Sequence, residues 1–217
     1  RDRSPSRGLG DVYKRQASGS GKSTLLNILN GAYTPYSGSV TINGIDIHHD
    51  TDGVNGMIGY ISQDDLLIEE LSVYQNLFLN AKLCFDGLTD DEIRERVDGT
   101  LTSLGLFEIK DIQVGNPMNK KISGGQRKRL NCALEVIREP SVLFVDEPTS
   151  GLSSRDSENI MDLLKELALK GKLIFVVIHQ PSSEIFKMFD KLMIMDTGGF
   201  PIYLGNPLDA IVYFKTE

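Results

Sequence analysis

Three short stretches hold residue types that could act together on a phosphate. Gly19 to Thr24 reads GSGKST. Glycines there let backbone N–H groups close around phosphate oxygens at the start of a helix. Lys22 would reach the β and γ phosphates, and Ser23 would ligate Mg²⁺. Ser141 to Glu147, SVLFVDE, is an apolar run that stops at two carboxylates. Asp146 is suited to hold Mg²⁺, and Glu147 to orient and deprotonate an attacking water. A carboxylate that ends a buried strand needs a partner, which a metal provides. Lys172 to Gln180, KLIFVVIHQ, stops in the same way at His179-Gln180. His179 would contact the γ-phosphate and the attacking water.

A fourth stretch, Ile122 to Arg129, reads ISGGQRKR. Ser123 is a good helix N-cap, and Gly124-Gly125 leave that helix start bare of side chains. Arg127, Lys128 and Arg129 then place cations in the first turns, where the helix dipole disfavours them. The expectation is that an anion docks at this end. Gln63 follows a short apolar run and precedes Asp64-Asp65, and by itself reads as an ordinary polar loop residue. His48 and His49 sit in a polar turn, HHDTD, and read as solvated.

These residues need a scaffold that brings them to one edge. The two continuous apolar runs look like strands of a parallel sheet buried on both faces. A helix over about 156–168 between them makes a βαβ unit. Ligands of such sheets bind beyond the carboxyl ends of the strands. The acid pair and His179 are therefore expected at the same edge. Ser23 to Asn30 reads as a helix, Ser37 to Ile47 as a hairpin turning at Asn43-Gly44, and Met57 to Ser62 as a strand. Thr89-x-x-Glu92 is a capping box opening a helix with Ile93, Val97, Leu101 and Leu104 on one face. Another helix follows Ser123, with Leu130, Ala133, Leu134 and Ile137 in register. Residues 64–140 thus read as a helical insertion between two sheet-forming parts. The expected fold is α/β: a P-loop NTPase with a mostly parallel core sheet, an antiparallel β part and an inserted α-helical subdomain.

The 217 residues carry a net charge of −7, which gives no global signal for nucleic-acid binding. Residues 1–16 hold five basic and two acidic side chains, a net of +3, so the remainder carries −7 − 3 = −10. That polar, Arg/Ser-rich segment reads as a disordered or non-native leader and resembles translated sequencing-adaptor read-through. Residues 17–217 are the expected folded domain. Cys84 and Cys132 have neither disulfide nor zinc spacing and read as reduced cytosolic residues. Purely apolar runs reach about six residues, such as Leu173 to Ile178, far below the ~20 that span a bilayer.

In order and spacing, ASGSGKST, IGYISQDD, ISGGQRKR, SVLFVDEPTSGL and VVIHQPSSEIF resemble the Walker A, Q-loop, signature, Walker B with D-loop, and H-loop motifs of an ABC transporter ATP-binding domain. The resemblance covers about residues 17 to 214. QRKR after the signature, HQPSSEIF, and the closing PIYLGNPLDAIVYF are similar to the G subfamily. That resemblance implies an ATPase in which two cassettes sandwich ATP. Ala17, Ser18, Gly19, Ser20, Gly21, Lys22, Ser23 and Thr24 would cradle the nucleotide of one subunit. Ser123, Gly124, Gly125 and Gln126 would face it from the other. Ser23, Gln63 and Asp146 would serve Mg²⁺, with Lys22, Gln63, Glu147 and His179 in catalysis. Gln63 would relay closure to a membrane permease domain, fused C-terminally, through the segment from Asp64 to Leu83. The cassette would then power transport, in the export direction, at the cytoplasmic face of the cell membrane, with no nucleic-acid partner. Two alternatives are a soluble ABC-type ATPase of translation or DNA repair and a non-catalytic regulatory cassette.

Three departures from the family pattern bear on activity. Gln16 stands where the P-loop has its first glycine. The preceding strand and an upstream adenine-stacking aromatic are missing, and Tyr13 is too close to the loop to be that aromatic. The D-loop reads SGLSSRDS, with Ser153 where the family usually has Asp and Asp156 as a possible substitute.

Overall fold

The structure, a computed structural model, describes residues 20–116, 118–119 and 121–216. The 1–16 leader, Gln16, Tyr13, Ala17, Ser18 and Gly19 lie outside the described residues.

Gly21 opens the fold in a left-handed conformation (φ 81°) and caps helix α1, Lys22–Leu29. That conformation costs glycine nothing and would strain any other residue. A hairpin follows, β1 (Thr41–Ile42) against β2 (Ile45–Asp46). Asn43 and Gly44 between them both have positive φ, as a two-residue turn of the right twist requires. Strand β3, Ile58–Ile61, then enters the central sheet.

Three helices follow: α2 (Val73–Cys84), α3 (Asp90–Ser103) and α4 (Gly124–Val136), with a 3-10 turn at Phe107–Ile109. Each starts with a complete capping box, Ser72/Gln75, Thr89/Glu92 and Ser123/Gln126. Each box satisfies two backbone amides that the helix cannot. Ile93, Val97 and Leu101 are buried at helical spacing and join Val73, Leu77, Leu130, Ala133 and Ile137 in one apolar cluster. Helix α2 is an addition to the sequence reading, which places its two helices after Thr89 and Ser123.

Strand β4, Val142–Asp146, runs parallel to β3 on one side and to β5, Leu173–Val177, on the other. Helix α5, Ser154–Leu169, connects β4 to β5. Val142 through Val145 are all buried, as expected of a strand covered on both faces. β5 departs from that expectation: Leu173 and Phe175 are 55% and 38% exposed. Among the described residues β5 pairs with β4 alone, so its continuous apolar run lies at a sheet edge. A second apolar cluster joins Ile61, Leu143 and Val145 to Ile160, Met161 and Leu164 of α5 and to Cys132 of α4. The chain closes with α6 (Ser183–Lys187), the antiparallel pair β6 (Leu192–Met195) and β7 (Pro201–Gly205), and α7 (Pro207–Thr216). No described helix is long and apolar enough to cross a membrane.

Candidate active site

The parallel register sets Asp146 opposite Val177, so β4 and β5 end side by side. The next residue, Glu147, turns sharply: its φ is 46°, and its N–H donates to the Val177 carbonyl at 2.9 Å. A glutamate in this left-handed region carries backbone strain, which persists only where neighbours hold it. The Val177 bond is one such restraint. Gln63 Nε2 donates to Glu147 Oε2 at 3.3 Å. Gln63 sits just past the end of β3, the strand on the other side of β4.

Asp146 stays at the strand end. The Ser23 side chain, Lys128 and Lys22 lie near enough to favour its charged form. Burial, and then the charge of Glu147, nevertheless push its pKa above the usual carboxylate value. Asp146 Oδ1 is buried with no hydrogen-bond partner among the described residues. An oxygen in that condition, beside a serine hydroxyl, fits a hard divalent cation. Lys22 Nζ donates to Ser20 Oγ at 2.9 Å. Gly21 and Lys22 are half-buried, while Ser23 and Thr24 are exposed.

His179 stands apart from this group. β5 ends at Val177, so His179 is carried two residues beyond the strand into a bend, where it is exposed. It makes no hydrogen bond to Glu147 within the described residues. The following residue, Gln180, has a φ of 48°, a second non-glycine held in the left-handed region at this edge.

Ser123, Gly124, Gly125 and Gln126 form the first turn of α4. Ser123 Oγ accepts the Gln126 N–H at 3.1 Å, and Gln126 Oε1 accepts the Ser123 N–H at 2.7 Å. The amides of Gly124 and Gly125 are among the first-turn donors that a helix leaves unpaired. The hydroxyl proton of Ser123 is likewise free of the capping box.

The cations that follow are tied inside the chain, so they are not themselves an argument for a docked anion. Arg127 binds both carboxylate oxygens of Asp65, at 2.9 and 3.0 Å, and also the Gly115 carbonyl. Lys128 Nζ donates to the carbonyls of Gln63 and Ser62 at 2.7 and 3.2 Å. Arg129 reaches the Leu104 carbonyl. Their charges are met inside the chain, so the case for phosphate at this helix rests on Ser123, Gly124 and Gly125. Sequence reading missed these ties. Complementary charges were visible at Asp64-Asp65 and in the RKR triplet, but nothing local paired them.

Ser153, at the departure in the D-loop, caps α5. Its hydroxyl accepts the Asp156 N–H at 3.1 Å and donates to Asp156 Oδ2 at 2.8 Å. Asp156 in turn lies against Gly125, so closely that a Cβ on Gly125 would collide with its carboxylate. Two surface cavities, one around Cys84 and Arg138 and one around Glu95 and Lys170, are lined by none of these residues. His48 keeps a structural tie, with Nε2 at 2.9 Å from the Tyr33 carbonyl, and His49 Nδ1 lies 3.1 Å from Asp46. No metal-holding cluster of His, Cys, Asp and Glu occurs among the described residues.

Comparison with known proteins agrees with this arrangement. The family model described as "ABC transporter" matches residues 17–150. "ABC transporter G family member 14" of Arabidopsis thaliana is 40% identical over 201 residues, which are 92% of this chain and 30% of that protein. The "Broad substrate specificity ATP-binding cassette transporter ABCG2" of Sus scrofa is 38% identical over 202 residues, 92% of this chain and 30% of that protein. The chain therefore spans about a third or less of the length of these curated relatives. Among solved structures, cbiO1 from Clostridium perfringens, part of the ABC transporter complex cbiONQ, superposes with a TM-score of 0.77 at 31% identity, covering 92% of this chain and 78% of that one. The cassette MJ0796, dimeric and bound to ADP and Pi in a post-hydrolysis state, gives 0.70 at 28% identity, covering 87% and 81%. With a parallel sheet that delivers paired carboxylates beside a phosphate-binding helix, and with these relatives, the chain belongs to the ABC transporter family as an ATP-binding cassette homologous to the G-family transporters.

Proposed function

We propose that this cassette hydrolyses ATP between two copies and drives transport, in the export direction, through a membrane permease domain fused C-terminally to it. The observation that carries the reading is the meeting of Gln63 and Glu147 beside the partnerless oxygen of Asp146. Within one chain, Lys22 neutralises the phosphates and Ser20, Gly21, Ser23 and Thr24 line their cradle, together with Ala17, Ser18 and Gly19. Ser23 and Asp146, with Gln63 alongside, would hold Mg²⁺, which supplies charge neutralisation at the phosphates when bound. Glu147 takes the proton of the attacking water at its carboxylate, and the Gln63 carboxamide keeps that carboxylate in place. His179, exposed at the same edge, would approach the γ-phosphate once nucleotide is present. Ser123, Gly124, Gly125 and Gln126, at the start of α4, would face a nucleotide held by a second cassette, and the dimeric MJ0796 structure supports that arrangement.

The relatives named above are transporters, which favours this reading over a soluble ATPase of translation or DNA repair. The acid pair with Lys22 favours it over a non-catalytic regulatory cassette. The cassette then works at the cytoplasmic face of the cell membrane, with no nucleic-acid partner. The test is Glu147→Gln in the full-length protein. ATP should still bind and should hold two cassettes together, while hydrolysis falls to background. Hydrolysis at the parental rate would exclude Glu147 as the base.

A further inference from the structure

Lys128 is a buried ammonium that ties α4 to the end of β3. It is 7% exposed, in the second turn of α4, and faces the start of the loop after β3. Burying an isolated ammonium is costly unless hydrogen bonds and opposite charge compensate. Its two acceptors here are consecutive backbone carbonyls, Ser62 at 3.2 Å and Gln63 at 2.7 Å. Asp64, Asp65 and Asp146 supply negative charge around it. Pinning two successive carbonyls fixes the peptide plane from which the Gln63 side chain departs. That side chain is itself exposed, and among the described residues its one hydrogen bond is the 3.3 Å contact to Glu147. Without the pinned backbone, little else would hold the carboxamide at that distance. Arg127 and Asp65 form a separate strap two residues further along the loop.

We propose that Lys128 is a positioning residue for ATP hydrolysis: its ammonium fixes the backbone of Ser62 and Gln63, so that the Gln63 carboxamide meets the Glu147 carboxylate. The inference rests on the ATPase reading above. A contribution to stability alone would be independent of the Gln63 side chain. A positioning role acts only through that side chain.

The test is a double-mutant cycle in the full-length protein, with K128M, Q63A and the pair, measuring steady-state hydrolysis and binding of a fluorescent ATP analogue. K128M should lower kcat by roughly ten- to hundredfold, the range for a misplaced catalytic group, with nucleotide affinity changed by less than about twofold. The K128M/Q63A pair should then be no slower than Q63A alone. K128R, which keeps charge and donors, should lie closer to wild type than to K128M. The same fractional loss of kcat in both backgrounds would overturn the proposal. If K128M does not fold, K128Q in the same cycle decides the matter by the same two outcomes. A wild-type protein that binds the analogue but hydrolyses no ATP would overturn the ATPase reading and this inference together. Normal wild-type hydrolysis with additive losses overturns this inference alone.

Discussion

Gly125 and Asp146 are the residues at which one atom has the widest effect. A methyl at Gly125 would strike the Asp156 carboxylate, which Ser153 holds at 2.8 Å. Gly125→Ala must therefore push Asp156 away or shift the first turn of α4. We expect a stability loss of about 1–3 kcal/mol, the range for overpacking, and weaker ATP-dependent pairing of cassettes. Thermal melting with and without ATP would check both. Asp146 works in the opposite sense. Burial and the Glu147 charge raise its pKa in the folded state. A raised carboxylate pKa means the folded chain binds the proton more tightly than the unfolded chain. The group then costs stability once pH exceeds the folded pKa, as it does near neutrality. Asp146→Asn should thus stabilise the nucleotide-free protein, by about 0.5–2 kcal/mol as is usual for relief of a functional site, while hydrolysis is lost. Calorimetry beside an ATPase assay measures the two changes; a destabilised variant would contradict the electrostatic account.

At the scale of elements, α4 joins the two halves of the molecule. Leu130, Ala133 and Ile137 point into the helical cluster, whereas Cys132 packs with β3, β4 and α5. The same helix carries Ser123 and Gly124 at its start and Lys128 against the Gln63 loop. A cavity in its packing should disturb both the helical part and the site. Leu130 is fully buried, so Leu130→Ala should cost about 2–5 kcal/mol, measured by urea unfolding. Cys132 reports on the other face. Burial pushes its thiol pKa up to about 12, so almost no thiolate exists at neutral pH. Cys132 should resist maleimide in the native protein and react once urea unfolds it. Rapid native labelling would mean that α4 separates from the sheet far more readily than its packing suggests.

Over the whole molecule, two sets of carboxylates respond to pH in opposite directions. Burial raises the pKa of Glu135, whose Oε2 accepts the Tyr60 N–H at 3.3 Å, and that of Asp146. Both penalise the folded state near neutrality, and the penalty lifts as pH falls toward about 4–5. Asp90, bonded by Lys82, and Glu92, which accepts the Thr89 N–H and hydroxyl, have lowered values. Their contributions are present above the ordinary carboxylate range and disappear as pH drops through their lower folded values. The melting temperature of the nucleotide-free protein should therefore rise modestly from pH 7 toward pH 5 and fall steeply below about pH 4. Relief of net charge, −7 at pH 7, acts in the same direction over the first interval. The Glu135→Gln, Asp146→Asn pair separates the effects: it should flatten the rise and leave the acid fall in place.

The sequence by itself determined the local features. GSGKST before a helix, the apolar run ending at Asp146-Glu147, the Asn43-Gly44 turn and the face of Ile93, Val97 and Leu101 all follow from periodicity, capping and the conformational freedom of glycine. Those effects act within a few residues of chain, so they can be read along it. Helix α2 carries the same kind of signal in the Ser72/Gln75 box, but the loop character around it hid the pattern. Only the tertiary structure decided which distant groups meet. It joined Gln63 to Glu147 across 84 residues and Lys128 to Gln63 across 65. It also gave the triplet after the signature internal partners, left β5 paired with β4 alone among the described residues, and carried His179 past its strand into an exposed bend. Charge and hydrogen-bond pairing depend on where chain segments cross in space, and no local pattern of residues specifies that crossing.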